Sequence, residues 1–211
     1  MLLALDTATP FVSVALWDGR VVDADTSDRP MKHGELLAPM IDQAMIRAGA
    51  HRSDLTAIAV GVGPGAFTGL RVGLVTARTL GLVLGVPVHG VCSLDVLAAA
   101  AVDGGGVGEP FIATIDARRK ELFWAAYDGQ GRRTDGPSVD RPADMPHDRP
   151  VVGAAAEIYP DEFDRVLGPV GPDAATLARV VAEQRVELLD PEPLYLRRPD
   201  AIAPGPPKKV S

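Results

Sequence analysis

Residues 2–19 read LLALDTATPFVSVALWDG, and residues 111–129 read FIATIDARRKELFWAAYDG. In each stretch a hydrophobic strand ends in an aspartate, Asp6 or Asp116. A second apolar run follows, and an Asp-Gly pair closes the unit, Asp18-Gly19 or Asp128-Gly129. Asp-Gly between β-rich runs is a strong hairpin signal. Asp6 and Asp18 stand twelve residues apart, as do Asp116 and Asp128. An ancient duplication of one strand–acid–strand–turn unit explains the match. So does chance, since the match covers one hairpin and little beyond it.

Outward from these units, Leu2–Leu5, Val12–Trp17 and Val21–Asp25 read as strands, and Leu55–Val62 as a buried one. Glu35–Ala48 is predicted helical, with Leu37, Ile41, Ala44, Met45 and Ala48 along one side. Pro39 either kinks this helix or restricts its regular part to Ala38 onward. Phe67–Leu84 is the second helix, Val86–Val91 a strand, and Leu94–Ala101 a third helix with Ser93 as its N-cap. DGGGVGEP at 103–110 reads as a linker. Phe111–Ile115, Leu122–Tyr127 and Val151–Ala155 follow as strands, Asp128–Pro150 as a long loop without periodicity, and Asp173–Gln184 as a helix capped by Asp173. Alternating strands and helices predict an α/β fold with mixed or parallel sheets. The expected organisation is a first lobe over 1–103, a smaller lobe over 104–198, and a disordered Pro- and Lys-bearing tail over 199–211.

The segment GVGPGAFTGLRVGLVTARTLGLVLG, residues 61–85, is chemically the most pointed. Gly61, Gly63 and Gly65 make a loop that turns tightly or approaches something closely. In the helix that follows, Gly69, Gly73, Ala77, Gly81 and Gly85 recur every four residues and share one face. Each glycine costs about 1 kcal/mol of helix stability relative to alanine, so a close neighbour is expected. Such a loop and helix form either a phosphate cradle or a docking surface, and the stripe is read here as a docking face. Packing against the protein's own sheet is the alternative.

Bulk properties narrow the field. At 211 residues, 46% of them hydrophobic, the chain can bury roughly 70% of its unfolded surface. A formal net charge of −7 gives no global pull toward nucleic acid, so an RNA connection has to run through a partner or a local patch. A single cysteine, Cys92, excludes an internal disulfide and fits a reducing compartment. Asp6 interrupts the apolar start, so no signal peptide is expected. No uninterrupted apolar run reaches the roughly 18 residues of a membrane span. A cytoplasmic location is the expectation.

Several motifs together, LALDTATPFVSVAL, HGELLAPMI, GVGPGAFTGLRVGLVTARTLG, PVHGVCSLDVLA and IDARRKELFWAAYD, resemble the TsaB (YeaZ) family. The likeness is dense to about residue 130; beyond that, GAAAEIYP and PLYLR carry it. The resemblance implies an actin-like, ribonuclease H-like duplicated fold of two lobes, with mixed sheets and flanking helices. It also implies a non-catalytic subunit in the synthesis of threonylcarbamoyladenosine on tRNA. The implied partners are the catalytic paralogue TsaD and the ATPase TsaE, with a homodimer in isolation and tRNA reached only through the complex. The implied contact lies on the two helices of the first lobe. Onto this sequence it carries Leu37, Ile41, Gly69, Arg71, Gly73, Ala77, Arg78 and Gly81.

Two rival functions are weighed on residues. A metal-dependent, glycoprotease-like peptidase needs paired ligands, and the catalytic paralogues carry two histidines four apart. Gly90 and Leu94 stand at those places here, while His33, His51, His89 and His147 are scattered; no metal is expected. An ATP-dependent small-molecule kinase of the actin-like superfamily needs a phosphate turn after the first strand. Ala8 replaces the helpful glycine and Pro10 lacks an N–H. Asp6, Thr7, Thr9 and Asp116 remain weak cofactor-binding candidates, with Thr7 and Thr9 as caps of the local turn in the plainer reading. Weak or absent ATP binding is expected. Gly153-Ala154-Ala155 suits an adenosine contact or plain packing. Arg118, Arg119 and Lys120 form a sharp basic cluster, either a solvated hairpin edge or a site facing the cleft between lobes that pairs with Asp6 or with a bound anion. His33 and Glu35 read as a solvent-exposed pair at a helix start.

Overall fold

The computed structural model describes residues 1–153, 158–159, 161–169 and 171–197. The tail over 199–211, and Ala154 and Ala155, lie outside the described residues. The chain builds β1 (Leu2–Asp6), β2 (Ser13–Trp17), β3 (Val21–Thr26), α1 (His33–Arg47), β4 (Ala57–Gly63), α2 (Phe67–Leu84), β5 (Val88–Cys92) and α3 (Ser93–Asp103). There follow β6 (Phe111–Asp116), β7 (Leu122–Tyr127), β8 (Arg133–Asp140), β9 (Val151–Gly153) and α4 (Ala174–Ala182).

The strands form two sheets, ordered β3-β2-β1-β4-β5 and β8-β7-β6-β9. In the first, β1 pairs antiparallel with β2 and parallel with β4, and β2 pairs antiparallel with β3. In the second, β6 pairs antiparallel with β7 and parallel with β9, and β7 pairs antiparallel with β8. The same four-strand pattern therefore occurs twice. The repeat extends past one hairpin to a parallel fourth strand, which decides for duplication over chance and gives the two-lobed α/β architecture.

Alternation along the strands sorts the core. Leu3 and Leu5 of β1, with Ile58, Val60 and Val62 of β4, face α1 and α2. Leu2, Ala4 and Ala59 face the opposite side, where Leu177, Ala178 and Val181 of α4 cover them. On β6 and β7, Phe111, Ala113, Phe123, Ala125 and Tyr127 pack with Leu94, Leu97 and Ala101 of α3. The helices thus cross the boundary at residue 103: α3 serves the second sheet, and α4, from the second half of the chain, serves the first. Asp103 fixes this exchange by pairing with Arg179 at 2.6 Å and Arg185 at 2.8 Å, which holds its carboxyl below the usual range.

Some local expectations need correction. Arg133–Asp140 is a strand, not part of a loop. It is an edge strand, where Gly136, Pro137 and charged residues are tolerated because one side needs no partner. Trp124 anchors it by donating its indole N–H to Asp140 at 2.8 Å. Ser93 does not cap α3; Cys92 is the cap residue, with no side-chain bond. Asp173 does cap α4, accepting the Thr176 N–H at 2.7 Å. Helix α1 runs unbroken through Pro39, which is exposed. Of the described helices, α2 is long and apolar enough to cross a membrane; its inner face lies on the first sheet.

Candidate functional site

The turn after β1 is held from several sides. Asp6 is buried and accepts the Ala8 N–H and the Ser93 hydroxyl, each at 2.7 Å. Gly61 makes room for it, since a β-carbon there would overlap the carboxylate. Burial pushes the Asp6 pKa up to about 6, against the pull of its two hydrogen bonds, while Asp173 adds a small like-charge push. In the second half Asp116 accepts the N–H of Arg118 at 2.8 Å. Both aspartates thus close the same two-residue turn at a strand end, a local job that suits this side chain.

Thr7 is fully buried and donates its hydroxyl to the Gly69 carbonyl at 2.8 Å. It therefore braces α2 rather than its own turn, whereas the Thr9 hydroxyl stays local, with Phe11. A β-carbon on Gly65 would come within 2.8 Å of Ala8 Cα, so the glycine loop lies directly on the β1 turn. The Ala8 N–H and Thr7 hydroxyl, donors a phosphate would need, have partners inside the protein. Of the four cofactor candidates, the structure brings Asp6, Thr7 and Thr9 to one turn, with Asp116 across the cleft.

The small-residue stripe is not a docking face. Gly69, Gly73, Ala77 and Gly81 are buried within this chain, and β-carbons on the three glycines would strike its own first lobe. At Gly69 the obstacle is the Thr7 carbonyl at 2.6 Å, at Gly73 the Thr7 hydroxyl, and at Gly81 the Val88 side chain. Leu37 is likewise core, 2% exposed, and Ile41 is half-buried against it. The outer face of α2 is different: Phe67, Val75, Leu82 and Val83 are 47%, 62%, 84% and 74% exposed. Arg71 and Arg78 lie on that face, exposed.

A strap over residues 189–197, which the sequence marked only by PLYLR, crosses this face. Leu189 and Gly90 exchange backbone hydrogen bonds at 2.8 Å, and Leu194 N–H donates to the Val62 carbonyl at 2.9 Å. Tyr195 stacks on Phe67 with ring centres 5.4 Å apart and accepts from Arg71 Nε at 3.1 Å. Arg78 pairs with Glu192 at 2.7 Å. The strap ends with Arg197 donating to the Ala117 carbonyl at 2.9 Å, beside the basic turn of the second sheet. Its hydrophobic spacing is too short to register as an element.

The basic turn borders the cleft between the lobes, where Arg118 turns to the neighbouring Asp116 and not to Asp6. Arg118 pairs with Asp116 at 3.1 Å and reaches Met31 Sδ of the first lobe at 3.8 Å. His33 is not solvent-exposed: it is buried, with Nε2 bonded to the Thr9 carbonyl at 2.7 Å, while Glu35 stays outside with Lys32. Cys92 is a buried core residue whose thiol burial pushes up to about 12. Gly153 sits close under Thr114, which suits plain packing. Among the described residues no His, Cys, Asp or Glu side chains group as metal ligands. A second buried polar group ties α3 to the second sheet. Tyr127 donates to Asp95 at 2.7 Å and Arg133 approaches it at 3.4 Å, and burial raises the Asp95 pKa.

Comparison with known proteins agrees with this geometry. A family model described as TsaD, tRNA N6-adenosine threonylcarbamoyltransferase, matches residues 29–159. An uncharacterized protein of Mycobacterium tuberculosis is 40% identical over 94% of this chain and 92% of its own length. The tRNA threonylcarbamoyladenosine biosynthesis protein TsaB of Escherichia coli is 32% identical over 93% of this chain and 94% of its own. The structure of YeaZ from Pseudomonas aeruginosa superposes with a TM-score of 0.77 at 31% identity, covering 92% of this chain and 99% of that one. Another structure from the same organism, described as similar to the peptidase YeaZ, gives 0.80 at 32% identity over 93% and 99%. With near-complete coverage in sequence and structure, the chain belongs to the TsaB (YeaZ) family.

Proposed function

We propose that this chain serves in tRNA threonylcarbamoyladenosine synthesis as a non-catalytic scaffold subunit that docks a TsaD-like paralogue through the outer face of α2. The observation that carries the reading is the exposed row Phe67, Val75, Leu82 and Val83, flanked by Arg71 and Arg78. Apolar residues edged by arginines are good interface anchors. The strap holds both arginines in place through Tyr195 and Glu192, so little side-chain freedom is lost on docking. Paralogues with equivalent surfaces pair in equivalent ways, so the same face mediates a homodimer in the absence of the partner. A TsaE-like ATPase completes the assembly, and the location is cytoplasmic.

A scaffold role is supported by what surrounds the β1 turn. Its hydroxyl and amide donors are engaged internally, and Gly90 and Leu94 stand where a catalytic paralogue carries histidines. Both features weigh toward a scaffold over a kinase or a peptidase.

The test is Leu82→Asp. At 84% exposure the change should leave folding within about 0.5 kcal/mol. Trapping an unpaired carboxylate in an apolar interface costs at least about 3 kcal/mol, a hundredfold or more in affinity. Co-purification with the paralogue and reconstituted tRNA modification should both fail. Wild-type affinity in this variant overturns the proposal.

A further inference from the structure

We propose that the turn Arg118–Lys120 and the aromatic-walled cleft beside it bind an unpaired stretch of RNA; this rests on the reading that the chain works in a tRNA-modifying assembly. Three features meet there. Arg118, Arg119 and Lys120 are consecutive, exposed, and all left-handed, with φ of 62°, 56° and 62°. The turn borders a cleft of about 420 Å3, which Phe67, Phe123, Tyr195 and Arg197 also line. The charge is local: Arg118, Arg119, Lys120 and Arg197 stand together with two acids, Asp116 paired to Arg118 and Glu121 paired to Arg197, in a chain whose net charge is −7.

Cations beside aromatic rings are how single strands are held, through phosphates on one side and base stacking on the other. Tyr195, 39% exposed, stands at the cleft as the stacking surface, with Phe67 behind it. A cleft of this volume admits a splayed nucleotide but not a paired helix, whose bases are turned inward. The acidic remainder of the molecule repels the backbone, so binding is short-ranged and strongly dependent on salt.

The test uses the full chain and fluorescence anisotropy at about 50 and 200 mM salt. The probes are a labelled single-stranded RNA of about a dozen nucleotides, a fully paired RNA, and a polyglutamate peptide. Arg119→Asn with Lys120→Asn removes two charges while keeping a residue type that tolerates the left-handed region; circular dichroism checks that the fold persists. Wild type should prefer the single strand. The double variant should reduce the slope of log K against log salt by roughly 1.4, about 0.7 per lost phosphate contact. Tyr195→Leu should weaken binding roughly tenfold without changing that slope. Unchanged slope and affinity in both variants, or no measurable binding by wild type, overturns the proposal. Equal affinity for paired RNA also overturns it, and equal affinity for polyglutamate assigns the cleft to an acidic protein segment instead. Leu82→Asp lies away from the cleft and should keep RNA binding, so failure of the docking reading and failure of the RNA site are read separately.

Discussion

Gly73→Ala should destabilise the isolated protein even though alanine is the better helix former. In an exposed helix the exchange gains about 1 kcal/mol. Here a β-carbon at position 73 overlaps the Thr7 hydroxyl and comes within 3.4 Å of Leu5 Cδ1. Thr7 has nowhere to move: it is fully buried, and its hydroxyl supplies the Gly69 carbonyl at 2.8 Å. Forcing it aside costs about 1–3 kcal/mol in packing strain. The buried Thr7 hydroxyl, moved off that carbonyl, loses its acceptor, which costs about 1–3 kcal/mol more. Set against the propensity gain, the net loss is about 3 kcal/mol within a range of about 1–5. For a chain of this size that is roughly 10 °C in melting temperature. Urea unfolding followed by circular dichroism measures the free energy, and calorimetry the temperature. Thr7→Ala combined with Gly73→Ala removes the obstacle, so the pair should cost less than the two single changes together by about 1 kcal/mol or more. A Gly73→Ala protein at least as stable as wild type would refute the reasoning and return the stripe to an outer surface.

Asp6→Asn tests the buried carboxyl. The Asp6 pKa rises from 3.8 in the unfolded chain to about 6 in the fold. The folded state therefore holds the proton more tightly. That contribution is fully present below pH 3.8 and is lost as the pH rises through about 6. Wild type should lose roughly 3 kcal/mol relative to Asp6→Asn across that window; a constant difference between the two proteins from pH 4 to 7, by urea unfolding, would contradict the assignment. Tyr127→Phe removes a buried hydrogen bond to Asp95, 2.7 Å long, and should cost about 2 kcal/mol at neutral pH. Unchanged unfolding free energy would show that the hydroxyl does not support that carboxylate.

The parts of this protein legible in its sequence are those set by local physics. The short apolar runs at residues 2–5 and 111–115, each closed by an aspartate, and the Asp-Gly turns announce the hairpins, because strand propensity and a turn's backbone angles depend on neighbours in the chain. The Asp173 cap is legible for the same reason. Strand β8 was not, because an edge strand with one free side carries no buried periodicity, and RTDGPSVD has the composition of a loop. Its identity comes from Trp124 and Tyr127 on the adjoining strand. The glycine stripe shows the limit most clearly. Four-residue spacing dictates that Gly69, Gly73, Ala77 and Gly81 share a helix face and that something approaches it closely. Spacing carries no sign for whether that neighbour belongs to the same chain. Only the packing of Thr7 and Val88 onto those glycines assigns the stripe to the core and turns Val75 and Leu82 outward. The strap over residues 189–197 was hidden for a related reason: its bonds to Gly90, Val62, Arg71 and Ala117 join positions far apart in sequence, and such contacts exist only once both sheets are in place.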